Sequence, residues 1–95
     1  MYAVIRHHNV KGPEANELAR QGKEEFVPII RRMPSLIAYT IIAGDDMVST
    51  VSIFESKAAA DESTRRAVAW AAETVTDFDV PTKVVEGNVV AHEVP

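Results

Sequence analysis

The chain contains no cysteine, which removes disulfide bridges, a thiolate nucleophile and any zinc or iron–sulfur site built on sulfur. It also lacks a clustered basic face. Ten Lys and Arg are scattered from Arg6 to Lys83 against fourteen Asp and Glu, for a formal net charge of −4 and a pI near 5.3. Without a basic stripe to neutralise phosphates, nucleic acid is not an expected partner. No stretch approaches the ~20 apolar residues of a membrane span, and Met1 to His8 has no long apolar h-region, so a cytoplasmic protein without a membrane partner is expected. No compact grouping of acid, base and nucleophile stands out. The sequence therefore names no reaction, and neither a metal nor another cofactor is expected.

What remains is an ordinary globular composition. With 95 residues, 46% of them apolar and 25% charged, the chain lies far from the disordered regime and has room for one domain, residues 1–95, with a packed core. Tyr2 to Asn9 is short and rich in β-formers, and Lys11-Gly12-Pro13 follows as a turn that suits a helix start. From Glu14 to Met33, the positions Leu18, Gly22, Phe26, Ile29 and Met33 recur at helical spacing. Pro28 falls inside that pattern, where it removes a backbone donor and crowds the carbonyl of Glu24, so a kink is expected between Glu24 and Pro28. Pro34 ends the helix at Met33.

Leu36 to Ala43 reads as a second strand, Gly44-Asp45-Asp46 as a tight connection and Met47 to Glu55 as a third strand, together an antiparallel hairpin. Ser56 suits the N-cap of a second helix, with Asp61 and Glu62 early in it and Ala60, Ser63, Ala67, Trp70, Thr74 and Phe78 on its inner face. Asp79-Val80-Pro81 ends that helix. Thr82 to Val94 is a last strand, interrupted at Gly87-Asn88. The order β-α-β-β-α-β is that of an α+β, ferredoxin-like domain, a four-stranded antiparallel sheet with two helices on one face.

Covering one face with helices leaves the other to water or to a partner. Strand two is apolar on both sides, with Leu36, Ala38, Thr40 and Ile42 alternating with Ile37, Tyr39, Ile41 and Ala43 and no charge in the run. Either row left exposed would make an apolar patch large enough to drive association. A second copy packed sheet to sheet is the economical solution, and twofold homodimers are the commonest closed assembly. The interior so enclosed would be of mixed polarity, with Thr40, Thr50, Ser52 and one of His7 and His8 among aliphatic neighbours. Such a lining suits a small, partly apolar ligand.

Over nearly its whole length the sequence resembles the dimeric α/β-barrel superfamily, and within it the antibiotic-biosynthesis monooxygenase domain. The resemblance is carried by Tyr2-Ala3-Val4-Ile5-Arg6, by the segment Ile29 to Tyr39, by Val51-Ser52-Ile53-Phe54-Glu55-Ser56, by Trp70 and by Val85-Glu86-Gly87. Relatives often have Pro-Gly-Phe where this chain has Pro34-Ser35-Leu36. The resemblance implies a homodimer with one pocket per subunit between sheet and helices. It leaves activity open among cofactor-free monooxygenases, haem-degrading enzymes, isomerases and non-catalytic proteins. Cofactor-free members use an Asn on strand one with a Trp in helix two, for which Asn9 and Trp70 are the nearest matches. Haem-degrading members add a helix-two histidine, and Ser56 to Phe78 contains none.

Each candidate has a plain alternative. His7 and His8 are adjacent in a strand, so they point to opposite faces and cannot hold one metal together. One of them, with His7 the candidate, can face the cavity as an acid or base, or serve only as a hydrogen-bonded imidazole. His92 reads as a tail residue. Trp70 is core, or a wall against which a flat substrate stacks. Arg6 can clamp a carboxylate or stabilise an enolate, or pair with a dimer partner's acid. Tyr39, Thr40 and Ser52 offer hydroxyls to a ligand or simply pack. Two functions follow: a small-molecule-binding homodimer acting as a cofactor-independent monooxygenase or isomerase, or a non-catalytic binding or structural dimer.

Overall fold

A computed structural model of the chain describes residues 1–74 and 83–95. Strand β1 (Tyr2–Asn9) leads into helix α1 (Pro13–Gln21), a π turn (Gly22–Phe26) and a short helix α2 (Val27–Ile30). Strands β2 (Leu36–Ala43) and β3 (Met47–Phe54), helix α3 (Lys57–Thr74) and strand β4 (Lys83–Asn88) follow. The strands form one antiparallel sheet in the order β2-β3-β1-β4, so the two strands nearest in sequence to the turn between halves lie together and β1 sits centrally. This is the ferredoxin-like arrangement expected from the order of elements.

The helices cover one face of the sheet. Tyr2, Val4 and Phe54 from the strands meet Phe26, Ile30 and Met33 from the first helical segment and Ala60 from α3, all buried. A second cluster joins Val10 and Val48 to Ala15 and Leu18, and half-buried Trp70 packs against both. Ile30 is almost fully buried although the spacing picked Ile29, its half-buried neighbour.

Local chemistry explains the element ends. Gly12 takes φ +51, a left-handed conformation that costs glycine nothing, and Pro13 opens α1 with its φ already helical. Ser56 caps α3 by accepting a hydrogen bond from the Ala59 amide through its hydroxyl at 3.2 Å. The Arg65-Arg66 pair lies on exposed helix surface, bonded to Glu62.

Where the sequence predicts a kink, the chain makes a π turn, with the Val27 amide bonded to the Gly22 carbonyl. The extra residue in that turn comes just ahead of Pro28, which sits in the opening turn of α2 and so has no helical bond to lose. At Gly22 the segment comes so near β2 that an added Cβ would stand 3.2 Å from the Ile41 side chain.

Three sequence expectations change. A register shift between Leu36 and Ala38 moves Leu36 onto the helix side with Tyr39, Ile41 and Ala43, leaving Ala38, Thr40 and Ile42 on the open face. Strand β4 stops at Asn88, because its partner β1 begins at Tyr2; one further bond, Val89 amide to Met1 carbonyl, closes the pairing. The first helical segment ends at Ile30 and reaches Met33 through a turn. The expected end of α3, including Phe78 and Asp79-Val80-Pro81, lies outside the described residues.

Candidate functional site

Alternation along β1 sorts its side chains. Tyr2, Val4 and Arg6 are buried toward the helices, and His8 follows them on that side, while Ala3, Ile5, His7 and Asn9 point to the open face. Across from Arg6 stands Thr50, and across from Val4 stand Ser52 and, one strand further, Tyr39. The inner face thus gathers Arg6, His8, Thr50, Ser52 and Tyr39 in three neighbouring strands, beneath α3.

Arg6 is only 7% exposed. Its guanidinium donates to the Thr64 hydroxyl of α3, which itself donates to the Ala60 carbonyl. Burial lowers the Arg6 pKa, with the charges of Tyr39 and Glu86 acting the other way. No carboxylate among the described residues pairs with it; Glu86, on the same face, accepts a hydrogen bond from the Tyr2 hydroxyl at 2.7 Å. Burial also pushes the Tyr39 hydroxyl up to about 12, against the opposing influence of Arg6 and Thr50, so Tyr39 stays a neutral phenol at neutral pH. His8 is held below its ordinary value by burial first, then by His7 and Arg6. Among the described residues, the buried hydroxyls of Ser52 and Ser63 and the Nδ1 atom of His8 have no hydrogen-bond partner.

Tyr39 connects this polar cluster to a groove of about 540 Å³ at the edge of the sheet. Its floor is Tyr39, Ile41 and Ala43 of edge strand β2, and its wall is Asn16, Ala19, Lys23 and Val27 of the first helical segment, with Arg20 and Glu24 at the rim. Phe26 stands edge-on to Tyr39 at 5.8 Å between ring centroids and tilted against Trp70 at 5.5 Å. The result is an aromatic row running from the groove inward, with a neutral phenol, hydroxyls and one buried cation beside it. Such a row can hold a flat apolar body and offer hydrogen bonds to a polar end.

On the open face His7 is held on both sides. Its Nε2 atom lies 2.9 Å from Asn9 Oδ1, which only accepts, so Nε2 donates and Nδ1 accepts from the Ser49 hydroxyl at 2.8 Å. Around this chain lie exposed aliphatics, among them Ile5, Ile42 and Val85.

Of the residues singled out from the sequence, Arg6, Tyr39, Ser52 and Trp70 belong to the helix side. His7, Asn9 and Thr40 belong to the open face. The pairing of Asn9 with Trp70 is therefore not assembled within one subunit, because the sheet lies between them. His8, Ser63, Thr64 and the groove wall were not singled out as site residues. Their signals were present only for Ser63, a polar residue in the inner stripe of α3, and for the opposite phase of His7 and His8. Among the described residues no group of three or more His, Asp or Glu could hold a metal, and no helix is long and apolar enough to cross a membrane.

No family model and no curated protein matches the chain. Solved structures do. A monooxygenase from the ActVA-Orf6 gene of Streptomyces coelicolor, in complex with nanaomycin D, is similar at TM-score 0.70 and 18% identity over 99% of this chain and 91% of that one. A structure of an antibiotic biosynthesis monooxygenase is similar at TM-score 0.63 and 22% identity, over 96% and 100%. A mutant of MhuD, with two manganese protoporphyrin IX molecules bound per active site, is similar at TM-score 0.74 and 18% identity over the full length of both chains. At these identities the likeness is one of fold: the chain has the ferredoxin-like architecture of antibiotic biosynthesis monooxygenase domains.

Proposed function

We propose that this protein is a homodimeric domain that binds a small, partly apolar molecule between its sheet and its first helical segment. The observation that carries the reading is the groove whose floor is Tyr39, continued inward by Phe26 and Trp70 and bordered by buried polar groups. The dimer is supported by the aliphatic residues left exposed on the open face, where Ile5 is 40%, Ile42 48% and Val85 48% exposed.

A second reading has the bound molecule oxidised without a cofactor, and it is favoured by neighbours of the same fold that are monooxygenases. With anthrone as substrate, the methylene carbon loses two hydrogens and gains one atom of O₂ as a carbonyl oxygen, while the second oxygen atom leaves with those hydrogens as water. The substrate supplies all four electrons. On the helix side, the neutral Tyr39 phenol and the Arg6 guanidinium are the groups suited to stabilise the enolate that precedes oxygen attack.

Equilibrium binding of anthrone under argon, followed by oxygen uptake, tests both readings. The wild-type chain should bind saturably, and Ala19→Phe, which fills the groove wall, should weaken binding at least tenfold. Unchanged binding in that variant removes the groove from consideration. Oxygen uptake above the uncatalysed rate supports the oxygenase, and binding without uptake leaves a non-catalytic binding domain.

A further inference from the structure

Arg6 poses a problem that the described residues do not solve. A guanidinium taken out of water needs an anion or a full set of acceptors, and one left short costs several kcal/mol on the general scale for buried charges. It has five N–H donors. Among the described residues it makes one hydrogen bond, to the neutral Thr64 hydroxyl. Among the described residues, the acid on its face whose charge acts on it, Glu86, makes no ion pair with it and accepts from Tyr2. Two further buried donors lie close by: Ser52, two residues along β3 from the Thr50 that faces Arg6, and Ser63, next to Thr64 in α3. Both are fully buried, and both hydroxyls lack a partner among the described residues.

We propose that the molecule bound by this domain is an organic anion, a flat aromatic carrying a carboxylate that pairs with Arg6 and takes hydrogen bonds from Ser52 and Ser63. The inference rests on the ligand-binding reading above and specifies its chemistry. A carboxylate accepts two parallel N–H bonds from a guanidinium, the geometry in which arginine surpasses lysine. Its remaining lone pairs match the two orphaned hydroxyls. The aromatic body then lies along Tyr39 and Phe26, toward Trp70. A neutral amide of the same shape offers one carbonyl acceptor and no charge in place of the bidentate anion, so the charged end decides selectivity.

Isothermal titration with 2-naphthoate and its neutral near-isostere 2-naphthamide tests this on the full chain. The wild type should bind the naphthoate at least tenfold tighter. Arg6→Met should erase that preference, and Arg6→Lys should keep only part of it. Equal affinity of the two ligands for the wild type overturns the proposal and leaves the ligand-binding reading standing; that comparison needs no variant and so survives a variant that fails to fold. Binding of neither ligand overturns both. A preference that persists undiminished in a folded Arg6→Met overturns the assignment to Arg6.

Discussion

The two faces of this sheet are built from alternate residues of the same strands, yet they solve opposite problems. Beneath the helices, apolar packing is close to complete at Val4, Phe54, Ile30 and Ala60, and what is left over is polar: Arg6 with a single neutral partner, Ser52 and Ser63 with none. On the open face His7 is bonded through both ring nitrogens, to Ser49 and Asn9, and what is left over is aliphatic. Unmet hydrogen-bonding capacity asks for a small polar ligand, whereas uncovered aliphatic area asks for another protein surface. One sheet can thus present a ligand site on one side and an assembly surface on the other, with no residue of a strand serving both.

The largest expected effect separates the faces by stability. Phe54 is fully buried in the inner core, and Phe54→Ala should cost ~3–5 kcal/mol in urea unfolding. Val51→Ala, on the half-buried open face, should cost well under half of that at protein concentrations where the chain is monomeric; equal losses would mean that the two faces are equally packed. Next comes assembly. Ile5→Lys combined with Ile42→Lys should shift the molecule to the 10.4 kDa monomer in sedimentation while leaving its circular dichroism unchanged. A dimer that persists in this variant would place the interface elsewhere.

The smallest effect is one of pH. His8 is held below its ordinary 6.5 in the folded chain by burial and by the neighbouring His7 and Arg6. The unfolded chain then binds more protons than the folded one between those two values, so stability is full above pH 6.5 and declines as pH falls through the folded pKa. His8→Gln should flatten that decline in thermal melts between pH 7 and 5. A slope identical to wild type would show that His8 titrates alike in both states.

Element order was legible because each element carries its own signal: a short run of β-formers in Tyr2 to Asn9, helical spacing from Leu18 to Phe26, and a cap at Ser56 that the structure shows in use. The bulge at the start of β2 was not, since Leu36, Ile37 and Ala38 are all apolar and any register of them looks acceptable. The same degeneracy hid the site. In β1 both phases begin with apolar residues, Tyr2 and Val4 against Ala3 and Ile5, so alternation separates His7 from His8 without saying which goes inward. Burial of Arg6, against the usual habit of charged residues, settles the phase. The groove wall of Asn16, Ala19 and Lys23 depends on where the π turn lies along β2, a tertiary fact with no local sequence mark.

That π turn also explains how a stripe with a spacing of four can stay in contact with a flat sheet. Leu18, Gly22, Phe26 and Ile30 are each four residues apart, and in a regular helix at about 100° per residue every such step overshoots a full turn by about 40°. Three steps would carry Ile30 a third of the way round the axis from Leu18. The wider turn over Gly22–Phe26 advances less per residue and takes back much of that drift, so Leu18 and Ile30 are both buried. The inserted residue acts as a phase correction. Deleting one residue there would set Leu18 and Ile30 eleven positions apart, about 20° from three full turns of a regular helix, so the stripe would face the core without the wider turn.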